Sequence, residues 1–144
     1  MTETEAILAI QCLTRAFRLG APPTLRWSAR DRRGHARLGD RITVGPRCWR
    51  GVEDTLLHEV AHIMTFRRGG NAREHSERFY LHLVAIVQEH YGDSRRYGWA
   101  TEYKRLKARA RRDGLLRNDV AADAAGWSAS PRRRLRPTAS VDVT

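Results

Sequence analysis

Two histidines and a glutamate stand in the stretch LLHEVAHIMTF, residues 56–66, at a spacing that can do chemistry. On an α-helix, His58 and His62 lie four residues apart and so share one face, a turn from each other. Their imidazoles can hold one ion at about 2.0–2.1 Å, the usual zinc–nitrogen distance. Glu59 follows His58 and points about 100° further round the helix. It stands outside that coordination shell but within reach of a water held there. Two ligands and a base at fixed angles are what makes H-E-x-x-H a mechanism. The competing reading is a core helix with two hydrogen-bonded histidines. The neighbours Leu56, Leu57, Val60, Ala61, Ile63 and Met64 weigh against it, because an unpartnered imidazole among them would be costly.

A catalytic zinc usually keeps three protein ligands and an open position. His75 is the leading third ligand. It follows His62 after twelve intervening residues, just past Gly69 and Gly70, where a returning helix can meet the first. Glu77 or Glu74 is the carboxylate alternative. His82 is two helical turns beyond His75 and reads as a packed histidine, while His90 and His35 read as surface residues. For the group that would stabilise a developing oxyanion, Tyr80, Tyr91, Tyr97, Arg73 and Arg78 are equal candidates.

The elements around these residues follow from periodicity. Residues 3–18 space Ile7, Leu8, Ile10, Leu13 and Phe17 as a helix, capped by Thr2 or Thr4 and stopped at Gly20. Residues 24–29, 35–39 and 40–45 read as short strands forming a small antiparallel sheet, with Ile42 and Val44 on one face. The H-E-x-x-H helix is expected from Val52 to about Phe66, with Glu53 and Asp54 favouring the positive end of its dipole. A third helix is expected over 73–91, with Phe79, Leu83, Ile86 and Val87 on its apolar stripe. A basic fourth helix is expected over 99–112. The order of helix, strands and helices predicts an α+β fold.

These motifs together resemble one known family. RWSARDRRGHARLGDRITVGP, then LLHEVAHIMTF, then REHSERFYLHL are similar to the SprT-like zinc metalloproteases, which include the Spartan-type proteases that remove proteins crosslinked to DNA. The likeness covers about residues 5–91. It implies a zincin-like domain with an N-terminal helix, a small sheet, the H-E-x-x-H helix and a following helix carrying the third ligand. It also implies zinc on His58, His62 and His75, Glu59 as base, and Phe79 as a core aromatic. Ser76 stands where the family usually has glycine, and the zinc ribbon of many members is missing. A basic segment takes its place.

Charge extends this picture. The 144-residue chain carries +11, of which residues 94–144 contribute 13 Lys/Arg against 5 Asp/Glu, or +8. That imbalance points to a polyanion, and nonspecific DNA through residues 94–144 is the expected partner beside a protein substrate. Trp99 and Tyr103 interleave with the basic residues of 104–112, a mixture suited to stacking and phosphate contacts, or to docking that helix on a core. The expected organisation is a protease domain over 1–93, a basic helical extension over 94–114, and a disordered basic tail over 115–144 that includes PRRRLRP. No apolar run approaches the roughly 20 residues that span a bilayer. The opening stretch is acidic where a secretory signal would be basic, so a cytoplasmic location is expected. Cys12 and Cys48 fit no metal-ligand spacing and are expected as reduced, small hydrophobes in or near the core. The expected function is a zinc endopeptidase directed at DNA-associated proteins. The alternative is a non-catalytic, zinc-containing module that binds nucleic acid.

Overall fold

A computed structural model describes residues 1–37, 39–71 and 73–116. The expectations for residues 117–144, PRRRLRP included, lie outside the described residues. The fold is α+β. It separates into two compact units, the first Met1–Tyr97 and the second beginning at Gly98.

The first unit opens with α1, Glu3–Ala16. Thr2 caps it in a reciprocal box: its hydroxyl accepts from the Glu5 amide at 3.1 Å, and Glu5 accepts from the Thr2 amide at 2.7 Å. The buried face is Ala6, Ala9, Ile10, Leu13 and Thr14. Ile7 and Leu8, expected on that face, are exposed. Ile10 and Leu13 point inward as expected, and Ala6 and Ala9 share the inward face with them in place of Ile7 and Leu8.

Three strands follow: β1 Thr24–Trp27, β2 His35–Arg37 and β3 Arg41–Val44. The sheet is mixed, which corrects the antiparallel expectation. Its order is β1-β3-β2, with β1 parallel to β3 and β2 antiparallel to β3. Ile42 and Val44 on β3 are fully buried and Thr43 is nearly so, which suits β3 to the middle. The polar β2 takes one edge and β1 the other. The chain leaves β1, passes over the end of β3 through residues 28–34, and enters β2 from the same end. Gly45 makes that passage possible, since a Cβ there would stand 1.6 Å from the Ser28 carbonyl oxygen.

Two antiparallel helices complete the unit: α2, Val52–Arg67, and α3, Glu77–Tyr91. Polar contacts fasten both ends. At the start of α2, Glu53 meets His90 Nε2 at 2.6 Å and Asp54 accepts from the Tyr91 hydroxyl at 2.5 Å. Near its end, Thr65 Oγ1 lies 2.7 Å from His82 Nδ1. Burial, with Arg68 and Arg78 nearby, holds the His82 imidazole below its usual pKa. His82 is the packed histidine expected, whereas His90 is tied to α2 and not a free surface residue. The stripe Phe79, Leu83, Ile86 and Val87 is buried as expected, with Tyr80 beside it. Arg67 at the α2 C-terminus donates to the carbonyls of Leu19 at 2.9 Å, Ala21 at 2.5 Å and Gly39 at 3.0 Å, so it fixes the loops around β1 and β3 to the helix.

In the second unit, a 3₁₀ turn at Trp99–Thr101 precedes α4, Lys104–Arg112. Trp99, Leu106 and Ala110 are buried, while Tyr103 is exposed. Trp99 is thus a packing ring. Among the described residues, no helix is long and apolar enough to cross a membrane. Both cysteines are free thiols; Cys48 is buried as expected, but Cys12 lies exposed on α1.

Candidate metal centre and its carboxylate

The middle of α2 faces the loop that leads into α3. His58, His62 and His75 converge there, each offering a nitrogen within 4.8 Å of the others. His58 Nε2 and His75 Nε2 are 3.1 Å apart. Two nitrogens bound to one tetrahedral zinc at about 2.0–2.1 Å stand roughly 3.3 Å apart, so this spacing fits such an ion within a few tenths of an ångström. The three ring centroids form a nearly equilateral triangle with sides of 4.9, 5.0 and 5.1 Å. Three neutral imidazoles are a donor set that zinc favours over calcium or magnesium.

Phe79 completes the arrangement. Its ring lies 5.0, 4.5 and 5.0 Å from those of His58, His62 and His75, so the four rings form a near-regular tetrahedron. Phe79 is fully buried and closes one side of the histidine triangle. His58 is buried, while His62 and His75 are partly exposed, so solvent reaches the cluster along the latter two.

The position of His75 depends on how α3 begins. The expected helix start at Arg73 is corrected to Glu77, which leaves His75 in the preceding loop. Asn71 Oδ1 accepts from the Arg73 amide at 2.9 Å, a local turn that competes with helix. Ser76 then caps α3, its hydroxyl accepting from the Phe79 amide at 3.2 Å. Ser76 therefore sets the helix boundary directly after His75. Glu74 and Glu77, the carboxylate alternatives, are both exposed, and neither joins the cluster.

Glu59 is buried, at 7% exposure. Gly34, the last residue before β2, lies against it. A Cβ on Gly34 would meet Thr55 Cγ2 at 2.4 Å, Glu59 Cγ at 3.0 Å and Glu59 Oε2 at 3.1 Å. The passage over the end of β3 thus brings backbone onto the carboxylate. Cys48 belongs to the same neighbourhood: burial pushes its thiol pKa up, and the charges of Glu59 and Asp31 add to that. Gly34, Thr55 and Cys48 escape a reading of the motif alone. A glycine next to a strand was the one available signal for Gly34, and it reads equally as an ordinary turn.

The five oxyanion candidates are dispersed. The Tyr91 hydroxyl donates to Asp54, and its pKa is pushed far up by burial and by that carboxylate. The Tyr97 hydroxyl accepts from Arg50 at 2.6 Å. Arg78 donates to the Arg68 carbonyl. Tyr80 is in the core, and Arg73 is exposed at the rim of a cleft on the sheet.

No protein-family model, curated protein or solved structure matches this chain.

Proposed function

We propose that this protein is a zinc-dependent endopeptidase of the zincin type, similar to the SprT-like proteases, acting on proteins associated with DNA. The observation that carries the reading is the convergence of His58, His62 and His75 from two separated segments, with Glu59 one residue after the first. A structural site needs the histidines but has no use for a buried carboxylate beside them.

His58 and His62 would hold zinc from successive turns of α2, and His75 from the loop ahead of α3. When bound, zinc supplies Lewis acidity toward a peptide carbonyl and acidifies water toward neutral pH. Glu59 accepts a proton from the attacking water and returns it to the departing amine. Burial against Gly34 limits the carboxylate's rotamers, so it is positioned before substrate arrives. Phe79 orders the three imidazoles and keeps water from one side of them. The DNA part of the proposal rests on the +11 net charge and the basic 94–144 segment.

The test compares the zinc-loaded protein with Glu59→Gln, on a DNA-binding protein substrate, with and without DNA. The expected result is cleavage that falls at least about 100-fold in the variant while its zinc content is unchanged. Cleavage retained in Glu59→Gln removes the peptidase reading. Glu59-dependent cleavage indifferent to DNA keeps the peptidase and removes the DNA part. Zinc binding with no cleavage by either protein favours the non-catalytic module.

A further inference from the structure

The outer face of the sheet carries a concentration of cations that the peptidase chemistry does not use. Residues two apart on a strand share a face. The pairing register therefore places Arg26, Thr43 and His35 in one row across the sheet, and Thr24, Arg41 and Arg37 in the next. A cleft of about 430 Å³ opens on this face, lined by Arg26, Arg37, Arg41, His35 and Thr43 and reached by Arg73 from the loop that carries His75. Thr43 is 5% exposed and forms the floor.

This arrangement is costly without a ligand. Arg37 and Arg41 are directly opposite each other on β2 and β3, and like charges so placed are destabilising. Asp40 offsets part of this with one contact to Arg37 at 3.4 Å, between side chains that are each 62% exposed. Among the described residues, no carboxylate lines the cleft itself. All four of its cations are arginines, whose planar forks bind phosphate oxygens in pairs.

We infer that this cleft binds the phosphodiester backbone of a nucleic-acid strand. A strand offers a fixed negative charge at every nucleotide, which matches two successive rows of cations. An acidic protein segment offers carboxylates irregularly, and each would form an exposed pair of little value. The surface is distinct from the basic 94–144 segment and does not depend on peptidase chemistry. It is connected to the metal centre twice: His35 follows Gly34, which packs on Glu59, and Arg73 stands two residues before His75. A strand seated in the cleft would bring whatever is attached to it alongside the histidine cluster.

The test measures binding and not cleavage. A labelled single-stranded oligonucleotide is titrated with the full chain at several salt concentrations, using the wild type, Arg26→Gln/Arg37→Gln/Arg41→Gln, and a control Arg15→Gln/Arg18→Gln at the end of α1 and just beyond it. Each phosphate contact contributes about 0.7 to the salt slope for a single strand, so removing three should flatten it by about 2. The expected result is that flattening with at least tenfold weaker binding in the cleft variant, and a clearly smaller change in the control. Equal changes in both variants, or none in the cleft variant, overturn the inference. Circular dichroism of each variant and the single variant Arg41→Gln separate lost binding from lost fold; Arg41→Gln should lower the slope by about 0.7. Loss of polyglutamate binding with oligonucleotide binding intact also overturns it, and assigns the cleft to an acidic protein segment.

Discussion

At the scale of single residues, Gly34 is the least obvious participant in the candidate site. Its lack of a side chain lets the backbone before β2 lie on Thr55 and Glu59. In Gly34→Ala, the new methyl collides first with Thr55 Cγ2, so the helix or the strand must shift. Overpacking of this kind costs about 1–3 kcal/mol. The expected outcome is a lower melting temperature and weakened cleavage with zinc content unchanged. Thr55→Ser, which removes the colliding methyl, should restore part of both. Equal stability and activity in Gly34→Ala would show that the contact is not tight. Phe79 is the other shared residue. Replacing it by alanine removes a fully buried ring that touches all three histidines, at about 3–5 kcal/mol. Thermal unfolding and zinc affinity should fall together.

At the scale of elements, α2 and α3 position the site between clamps at their two ends. The Tyr91–Asp54 bond has a pH signature. The Tyr91 hydroxyl is held protonated in the folded protein, its pKa raised by burial and by Asp54. In the unfolded chain it ionises near pH 10. Its contribution to stability is therefore fully present below about pH 10 and is lost as pH rises above that value. Chemical unfolding followed from pH 8 to 11 should show stability falling at the alkaline end. Tyr91→Phe should be less stable at neutral pH and should show less of that fall. The boundary of α3 was only partly legible beforehand. The apolar stripe identified the helix, but its start was set by two local side chains, the Asn71 turn and the Ser76 cap. Both lie in a stretch whose polarity also suits a first helical turn.

At the scale of the whole molecule, the proposed metal binding would be linked to folding. His75 is separated in sequence from His58 and His62, so an ion held by all three favours only the folded chain. Zinc at one hundred times its dissociation constant should stabilise the protein by about 2.7 kcal/mol, a rise in melting temperature of about 10 °C. A chelator should reverse it, and His75→Ala should show no more than a small part of it. An unchanged melting temperature in wild type would count against a three-ligand site. The net charge of +11 acts over the same scale, raising encounter rates with polyanions and making them sensitive to salt.

The sequence by itself determined the features governed by short-range geometry. Helical periodicity placed His58, Glu59 and His62 at fixed angles on α2. The periodicity of residues 3–18, 52–66 and 73–91 specified three helices, though not their exact ends, and alternation placed Ile42 and Val44 on one face. Tertiary structure decided what depends on chain segments meeting. Neighbouring strands do not have to pair, so only packing put β3 in the middle and made the sheet mixed. The route of residues 28–34 over Gly45 brought Gly34 onto Glu59. The register of β1, β3 and β2 gathered Arg26, Arg37 and Arg41 into one cleft, and the loop ahead of α3 added Arg73. Spacing along the chain fixes angles within an element, whereas contacts between elements are chosen by the burial of the whole.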